Sequence, residues 1–470
     1  MTTDAVPSDL PGVVLAGTAS DVGKTVATLA VCRALERTGR TPVAAKAGPD
    51  FVDPSHHAAV LGRPARTLDP WVAGDDGVRR AYARGADSGD VCVVEGMLGV
   101  YEGSVNTAAV AEALDLPVVL VVDAETGMER VAATALGFKQ YAERRGYDID
   151  IVGLLAARAH GGRHEAGIRD AVDGVRYVGR TPPLDGLSIP DQHIDPELDA
   201  GPPIAEDALD AAARQIRPEV VLDLVRRPGL DTRPSLRAAD ETGLTVGVAA
   251  DEAFRFVRPS TRDRLATRAT VESFSPVAGD PVPDCDVVYL PGGYPERHAA
   301  ALSSSETLAD LAAVAADGRP VFGAGGGLMA LGESMTTASG DGYGMAGVLP
   351  VSTHLSDRIV ASDHVGVRAR EDCLLAPAGG TTNATTPPRP PHRTRGTPSR
   401  WSGAPASTGP TTVSGSIGRW GPTPAAIQDR GRSTTCWRRL RRSCKRRRAP
   451  RQSRLAGFMS PPRVSLGTMA

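Results

Sequence analysis

The apolar run Val13–Ala16 leads directly into Gly17-Thr18-Ala19-Ser20-Asp21-Val22-Gly23-Lys24-Thr25, where a helical pattern opens and continues to Arg37. A glycine-bearing turn between a buried strand and a helix, closed by Lys-Thr, is the setting of a phosphate-binding loop. Glycines let the backbone amides curl around phosphate oxygens. The helix N-terminus adds partial positive charge, and a lysine neutralises the β and γ phosphates. Gly17, Thr18, Ser20, Asp21, Val22, Gly23, Lys24 and Thr25 are therefore the expected contacts of ATP, with the Thr25 hydroxyl placed to ligate Mg²⁺. The spacing departs slightly from the common form, because position 18 is Thr and the preceding glycine is Gly17. The competing reading is a glycine-containing turn with an incidental lysine.

Such a loop belongs in a parallel sheet, and the rest of the N-terminal part agrees. Short apolar runs at Val91–Val94, Pro117–Val122 and Ile151–Leu155 alternate with helical patterns at Thr25–Arg37 and Glu129–Arg145. Continuous apolar strands separated by helices imply a parallel sheet covered on both faces. Residues 1–200 form the expected ATP-binding domain. Residues 201–240, richer in Pro and Asp, read as a connector with a helix near Ala205–Arg226. A second alternating region, 241–380, has strands at Leu244–Ala249, Val287–Leu290 and Pro320–Phe322.

At residue 381 the character changes. Of the 90 residues from Thr381 to Ala470, 61 are Pro, Arg, Gly, Ser or Thr, and no apolar period persists. That segment holds 18 basic residues and one acid, Asp429, a net of +17. Removing these from the 53 basic and 55 acidic residues of the chain leaves 35 and 54 in residues 1–380, a net of −19. One reading is a basic tail that binds nucleic acid or a membrane surface. The other is a slipped reading frame, favoured by the charge reversal and by three of the four tryptophans (Trp401, Trp420, Trp437) lying there. The tail reads as disordered, and no function is assigned to it.

The acidic body is poor in lysine, with only Lys24, Lys46 and Lys139 before the tail, a composition like that of proteins from salt-loving organisms. No stretch approaches the ~18–20 uncharged apolar residues of a membrane span. The start MTTDAVPSDL lacks the basic and apolar runs of a signal peptide. A cytoplasmic chain with no membrane or nucleic-acid partner is expected. The six cysteines form no CxxC pair, which reads as reduced thiols.

Further chemistry sits at strand ends. Glu95 closes Val93-Val94-Glu95-Gly96, where open α/β sheets bind ligands and a nucleotide enzyme places a metal ligand. Capping of the following segment is the alternative. Lys46 ends another strand, before Gly48-Pro49-Asp50-Phe51-Val52-Asp53-Pro54-Ser55-His56-His57. It is expected to bind a phosphate or a substrate carboxylate. Asp50, Asp53 and Asp69 are further metal or substrate candidates. Adjacent His56 and His57 diverge in direction and do not suit zinc.

The phrases GTASDVGKT, KAGPDFVDPSHH, GRPARTLDPW and VEGMLGVYEG together resemble the cobyrinate a,c-diamide synthases of the cobalamin pathway. The N-terminal part also looks like dethiobiotin synthetase, and cobyric acid synthase is a nearer relative with a different strand-end phrase. Leu290-Pro291-Gly292-Gly293-Tyr294-Pro295-Glu296 is similar to the oxyanion loop of class I glutamine amidotransferases. The resemblance spans about residues 12–380. It implies a P-loop α/β domain followed by an amidotransferase-like α/β domain. It also implies ATP-dependent amidation of the a- and c-carboxylates of a corrinoid, cobyrinic acid, through acyl phosphates, with glutamine or ammonia as nitrogen source. Lys24, Lys46, Asp50 and Glu95 would be catalytic; Thr25, Glu95 and Asp69 would hold the metal; Asp53, His56, Tyr101 and Glu102 would meet the substrate. A homodimer is a further expectation.

The sequence departs from that pattern where the nitrogen should be released. The family carries a nucleophilic cysteine in a phrase like AECGGLM; here Gly323-Ala324-Gly325-Gly326-Gly327-Leu328-Met329 puts Gly325 at its place. A histidine phrase expected soon after Gly379 is missing, and His392 lacks its context. Attack on an amide carbon needs a thiolate and a base, so glutaminase chemistry is expected to be lost. A degenerate product retaining at most nucleotide binding, and a dethiobiotin-type ligase, are the alternatives. After Ile151–Leu155 the family often carries Asn-Arg for the nucleotide base, whereas this chain has Ala157-Arg158. Ala250 replaces an arginine. His193, in a family-like block, is a further substrate candidate.

Overall fold

Strands buried on both sides need apolar residues at every position, and β1 (Gly12–Gly17) and β4 (Val91–Glu95) are buried throughout. In a computed structural model, which describes residues 10–103, 105–187, 189, 204–230, 243–355, 363–368 and 378–386, the chain divides into two units at Pro234/Ser235. The rest of the basic tail, and His193, lie outside the described residues.

The first unit is a seven-stranded parallel sheet. Beside β1 and β4 it contains β2 (Pro42–Ala47), β3 (Arg66–Leu68), β5 (Val118–Asp123), β6 (Ile151–Ala157) and β7 (Arg176–Arg180), in the order β3-β2-β4-β1-β5-β6-β7. Side chains alternate between the faces. Val14, Ala16, Val94 and Leu120 join one core, and Val13, Leu15, Val93 and Val119 join the other. Helices α1 (Lys24–Glu36), α2 (Val52–Leu61), α3 (Pro70–Ala83), α4 (Thr107–Leu114), α5 (Glu129–Arg145) and α6 (Arg163–Ala171) connect the strands. The parallel α/β architecture expected from the apolar runs is the one observed.

The presumed connector is different. Residues 206–224 form two helices, α7 (Glu206–Ala213) and α8 (Pro218–Leu224), rather than one. Pro218 cannot donate a backbone hydrogen bond and pushes Arg217 out of helical geometry (φ −102°, ψ 87°), which breaks the run. Both helices bury apolar residues (Leu209, Ala212, Val221) in the core that holds Leu29 of α1. Beyond them, Arg226 exchanges backbone hydrogen bonds with Gly12 and reaches Asp115 (2.9 Å) and Asp150 (3.0 Å). Pro and Asp content suggested a linker, whereas the apolar face of the segment completes the first unit.

The second unit has a four-stranded parallel sheet of β8 (Thr245–Ala249), β9 (Thr270–Phe274), β10 (Val287–Leu290) and β11 (Val321–Gly323), in the order β11-β10-β8-β9. Val288 and Leu290 face one core while Val287 and Tyr289 face another. Helices α9 (Pro259–Ala266), α10 (Ala299–Ser304), α11 (Glu306–Ala316) and α12 (Gly326–Leu331) accompany it. Short strands β12 (Ser334–Thr336), β13 (Gly342–Gly344) and β14 (Ser352–His354) form a small sheet. β15 (Asp363–Arg368) pairs antiparallel with β16 (Thr381–Thr386). Residues 381–386, counted in the tail by composition, are therefore a paired strand: Thr-rich sequence suits a ladder.

Candidate active site

The strand-to-helix turn expected to bind phosphate has the required backbone. Gly23 (φ +86°) caps α1 in the left-handed region, and Asp21 is also left-handed. No side chain caps the first turn of α1 and no acid lies in it, so its amide end keeps its positive potential for an anion. Val22 is buried, Thr18 donates its amide to the Val121 carbonyl, and Val100 donates to the Gly17 carbonyl. Lys24 folds over the turn, its Nζ donating to the Ala19 carbonyl at 2.9 Å. Burial, and then the neighbouring Lys46, hold its pKa below the ordinary lysine value. Glu95, Asp53 and Asp21 partly offset that effect.

Glu95, at the carboxyl end of β4, is fully buried (0 % exposed) and lies directly opposite Lys46 in the β2–β4 register. Its Oε1 accepts from Thr25 Oγ1 at 2.9 Å and from Lys46 Nζ at 2.7 Å; its Oε2 pairs with His57 Nε2 at 2.6 Å. Lys46 completes its donors on Asp53 and on the Gly96 carbonyl (3.2 Å), with Asp50 Oδ2 at 3.8 Å. Burial alone would lower the lysine pKa, but Asp53, Glu95 and Asp50 together raise it well above its usual value. Lys46 is thus a fixed cation.

Thr25, Glu95, Lys46, Asp50 and Asp53 are brought together as the sequence suggested, and His57 joins them instead of His56. His56 is buried in α2, 3 % exposed. His57 lies one turn after Asp53, so both reach the same side of the helix; that i, i+4 spacing was the signal available in the sequence. Asp50 Oδ1 accepts from the Val52 and Asp53 amides, so it caps the start of α2 as well as facing Lys46.

Three further candidates make contacts of their own away from Lys46 and Glu95. Asp69 is buried as the N-cap of α3, its Oδ1 accepting from the Trp71 and Val72 amides, so its carboxylate is engaged in ending β3 and starting a helix. Tyr101 lies in an aromatic cluster with Phe138 and Tyr147, its hydroxyl donating to the Phe138 carbonyl at 2.6 Å. Glu102 accepts from the Gly99 amide at 3.2 Å and closes its own loop. All three are held by local structure. Arg158, left-handed at φ +57°, binds Asp123 at 2.9 Å and donates to the Asp21 carbonyl at 2.9 Å, tying β6 to the phosphate loop. These contacts were not legible beforehand, because both partners are far from Arg158 in sequence.

Among the described residues no group of three His, Cys, Asp or Glu side chains is arranged to hold a metal by itself. A hydroxyl and a carboxylate converging at 2.9 Å nevertheless fit Mg²⁺. That ion usually takes one or two protein ligands and fills its octahedron with phosphate oxygens and water.

In the second unit, Gly325 stands at the sharp turn from β11 into α12 with φ +54° and ψ −113°. A Cβ there would meet only Gly292 Cα, at 3.6 Å, so the turn has room for a side chain. Gly293 and Gly327 have none, since their added Cβ atoms would fall 1.9 Å from the Ala253 carbonyl oxygen and 2.1 Å from that of Leu290. Gly292 accepts from the Phe256 amide at 2.9 Å. Cys285 precedes β10, at the other end of the parallel strands from Gly325, and burial raises its thiol pKa.

Residues 13–200 match the family of CobQ/CobB/MinD/ParA nucleotide-binding domains, and residues 245–380 match the CobB/CobQ-like glutamine amidotransferase domain. The chain is 56 % identical over 383 residues to the cobyrinate a,c-diamide synthase of Halobacterium salinarum, covering 81 % of this chain and 86 % of that one. The chain belongs to the cobyrinate a,c-diamide synthase family. The synthase of that name from Haloarcula marismortui is 55 % identical, with 79 % and 84 % covered. The hydrogenobyrinate a,c-diamide synthase of Brucella abortus is 35 % identical, with 79 % and 86 % covered. As a cobyrinate a,c-diamide synthase family member, the chain is a carbon–nitrogen ligase with a nucleotide-binding domain, as the motifs implied. The amidotransferase match ends at residue 380, beside the composition change.

Proposed function

We propose that this protein amidates the a- and c-carboxylates of cobyrinic acid, or of a closely similar corrinoid, using ATP, Mg²⁺ and free ammonia. The observation that supports it best is the convergence of Thr25, Glu95 and Lys46 beneath the phosphate loop, in a chain that shares 56 % identity with a named synthase. A carboxylate is a poor acyl donor until one of its oxygens becomes a leaving group. In the reaction, that oxygen attacks the γ-phosphorus, the bond to the β–γ bridging oxygen breaks, and ADP departs. Ammonia then adds to the acyl carbon, phosphate leaves with the former carboxylate oxygen, and a proton is lost. Bound magnesium would supply charge neutralisation at the phosphates, held by Thr25 and Glu95. Lys24 and Lys46 keep two fixed positive charges where the phosphoryl oxygens gain negative charge, and the α1 amides orient the triphosphate. Asp53 holds Lys46 in place, and Asp50 holds the start of α2.

Glutamine is not the nitrogen source in this reading, because Gly325 offers no thiolate. The test uses cobyrinic acid labelled with ¹⁸O in its carboxylates, with ammonium chloride or with glutamine. Ammonium should give amides with one labelled oxygen in each phosphate released, and glutamine should give none. Amide formed equally from glutamine would contradict the nitrogen source; absence of amide and of labelled phosphate with both donors would contradict the ligase reading.

A further inference from the structure

The contact between His57 and Glu95 is the shortest hydrogen bond to a fully buried acid in this site, and the nucleotide chemistry above gives it no task. Both side chains are 0 % exposed. A carboxylate accepts, so Nε2 of the ring donates in this pair, and Nδ1 must find its own partner. Nδ1 is buried and has no hydrogen-bond partner among the described residues. A buried, unpartnered ring nitrogen is destabilising, and an apolar ring of similar size would avoid it. The position is therefore poor for packing alone, and what histidine adds there is one donor aimed at Glu95.

That donor acts on one oxygen only. The terminal torsion of a glutamate is broad, so an unrestrained carboxylate turns readily about its last bond. In this site Oε2 is fixed by His57, and Oε1 is thereby turned toward Thr25 Oγ1 and Lys46 Nζ. The ring is anchored by α2, whose start is tied by Asp50 and whose Asp53 is bound to Lys46. We propose that His57 is a positioning residue: it locks the Glu95 carboxylate so that Oε1 and the Thr25 hydroxyl together present one preformed edge to the divalent cation of the bound nucleotide. This rests on the reading of Thr25 and Glu95 as the metal-facing pair.

The test uses the full chain and Mn²⁺, whose free ion is counted by its paramagnetic resonance signal, together with ATP. His57→Leu should weaken Mn²⁺ binding to the protein–ATP complex by about 10- to 100-fold, the usual effect of removing a hydrogen-bond partner of a metal ligand. ATP binding in EDTA should stay within about twofold, because the loop amides are untouched. His57→Gln, whose amide nitrogen can take the place of Nε2, should return Mn²⁺ affinity to within about threefold of the parent, whereas His57→Asn, too short to reach, should behave like the leucine variant. Wild-type Mn²⁺ affinity in His57→Leu overturns the proposal, as does equal loss in the Gln and Asn variants. A parent protein that takes up no Mn²⁺ with ATP also overturns it. Should His57→Leu fail to fold, the Gln–Asn contrast decides alone. The two readings separate cleanly. A parent that never forms amide but shows this His57 dependence contradicts the ligase assignment only, and a parent that forms amide with a metal affinity indifferent to residue 57 contradicts the positioning role only.

Discussion

Lys46 and Glu95 are direct cross-strand partners at the carboxyl ends of β2 and β4, joined at 2.7 Å with side chains 5 % and 0 % exposed. The parallel register puts them on the same face, so the pairing follows from the sheet itself. A buried pair of this kind is weak evidence for stability, because desolvation offsets much of the attraction. Its persistence beneath the phosphate loop suits a site that must present fixed charge to a triphosphate.

Removal of one partner should be costly. Lys46→Met leaves Glu95 and Asp53 facing each other without their shared cation, and the expected loss is about 3–5 kcal/mol of unfolding free energy. Lys46→Met combined with Glu95→Gln should recover part of that loss, since one of the stranded charges is gone. Urea denaturation followed by circular dichroism measures both. A single variant as stable as the parent would contradict the network described.

Acid–base behaviour should be asymmetric across the same network. Partial burial and the adjacent Asp53 carboxylate push Asp50 up to about 7, against the pull of Lys46. A folded-state value above the unfolded ~3.9 means that the native state holds the proton more tightly. That contribution is complete below about pH 4 and disappears as the pH rises toward 7. Asp53 runs the other way. Burial opposes its charge, but Lys46 keeps it well below the ordinary carboxylate range, so its contribution is present above about pH 4 and is lost on acidification. Asp50→Asn removes the first trend and retains the second. The Asp50 side chain is 30 % exposed and partly screened, so the sign is what the experiment reads. The urea midpoint of the parent minus that of the variant should fall between about pH 4.5 and 7.5; a flat difference would show that Asp50 does not titrate there.

The phosphate loop, Glu95 and Lys46 were legible because each is fixed by local chemistry: a strand end, a glycine-bearing turn, a charged residue after an apolar run. The parallel fold was legible from the same runs. The contacts of Asp69, Tyr101 and Glu102 were not legible, because a motif places residues near a site without saying which way they point. Asp69 turns to cap α3 and Tyr101 turns into Phe138 and Tyr147. The i, i+4 spacing from Asp53 points to His57, but which of His56 and His57 faces Glu95 is settled only by the rotation of α2 relative to the sheet. The Arg158 contacts to Asp21 and Asp123 arise from tertiary closure alone.

Tyr101 allows the structural account to be separated from the substrate one. Tyr101→Phe deletes the hydroxyl that donates to the Phe138 carbonyl and keeps the stacked ring. The expected cost is about 1 kcal/mol of stability, the ordinary worth of such a bond. The Michaelis constant for the corrinoid should be unchanged. A rise in that constant of about tenfold, with stability intact, would place Tyr101 at the substrate.

Gly325 gives a direct test of the nitrogen source. A side chain at φ +54° and ψ −113° is strained, so Gly325→Cys should cost about 1–3 kcal/mol, yet its Cβ meets no atom closer than 3.6 Å and the second unit should still fold. Gly327→Ala should be far worse, because its methyl would lie 2.1 Å from the Leu290 carbonyl oxygen. The introduced thiol should react with iodoacetamide, which shows that the turn is accessible. Glutamine should nevertheless support no amidation in Gly325→Cys, since a thiol needs a partner base to attack an amide and the histidine phrase expected after Gly379 is missing from the sequence. Glutamine-dependent amide formation by that variant would reveal a base already in place and would make residue 325 the sole defect of the second unit.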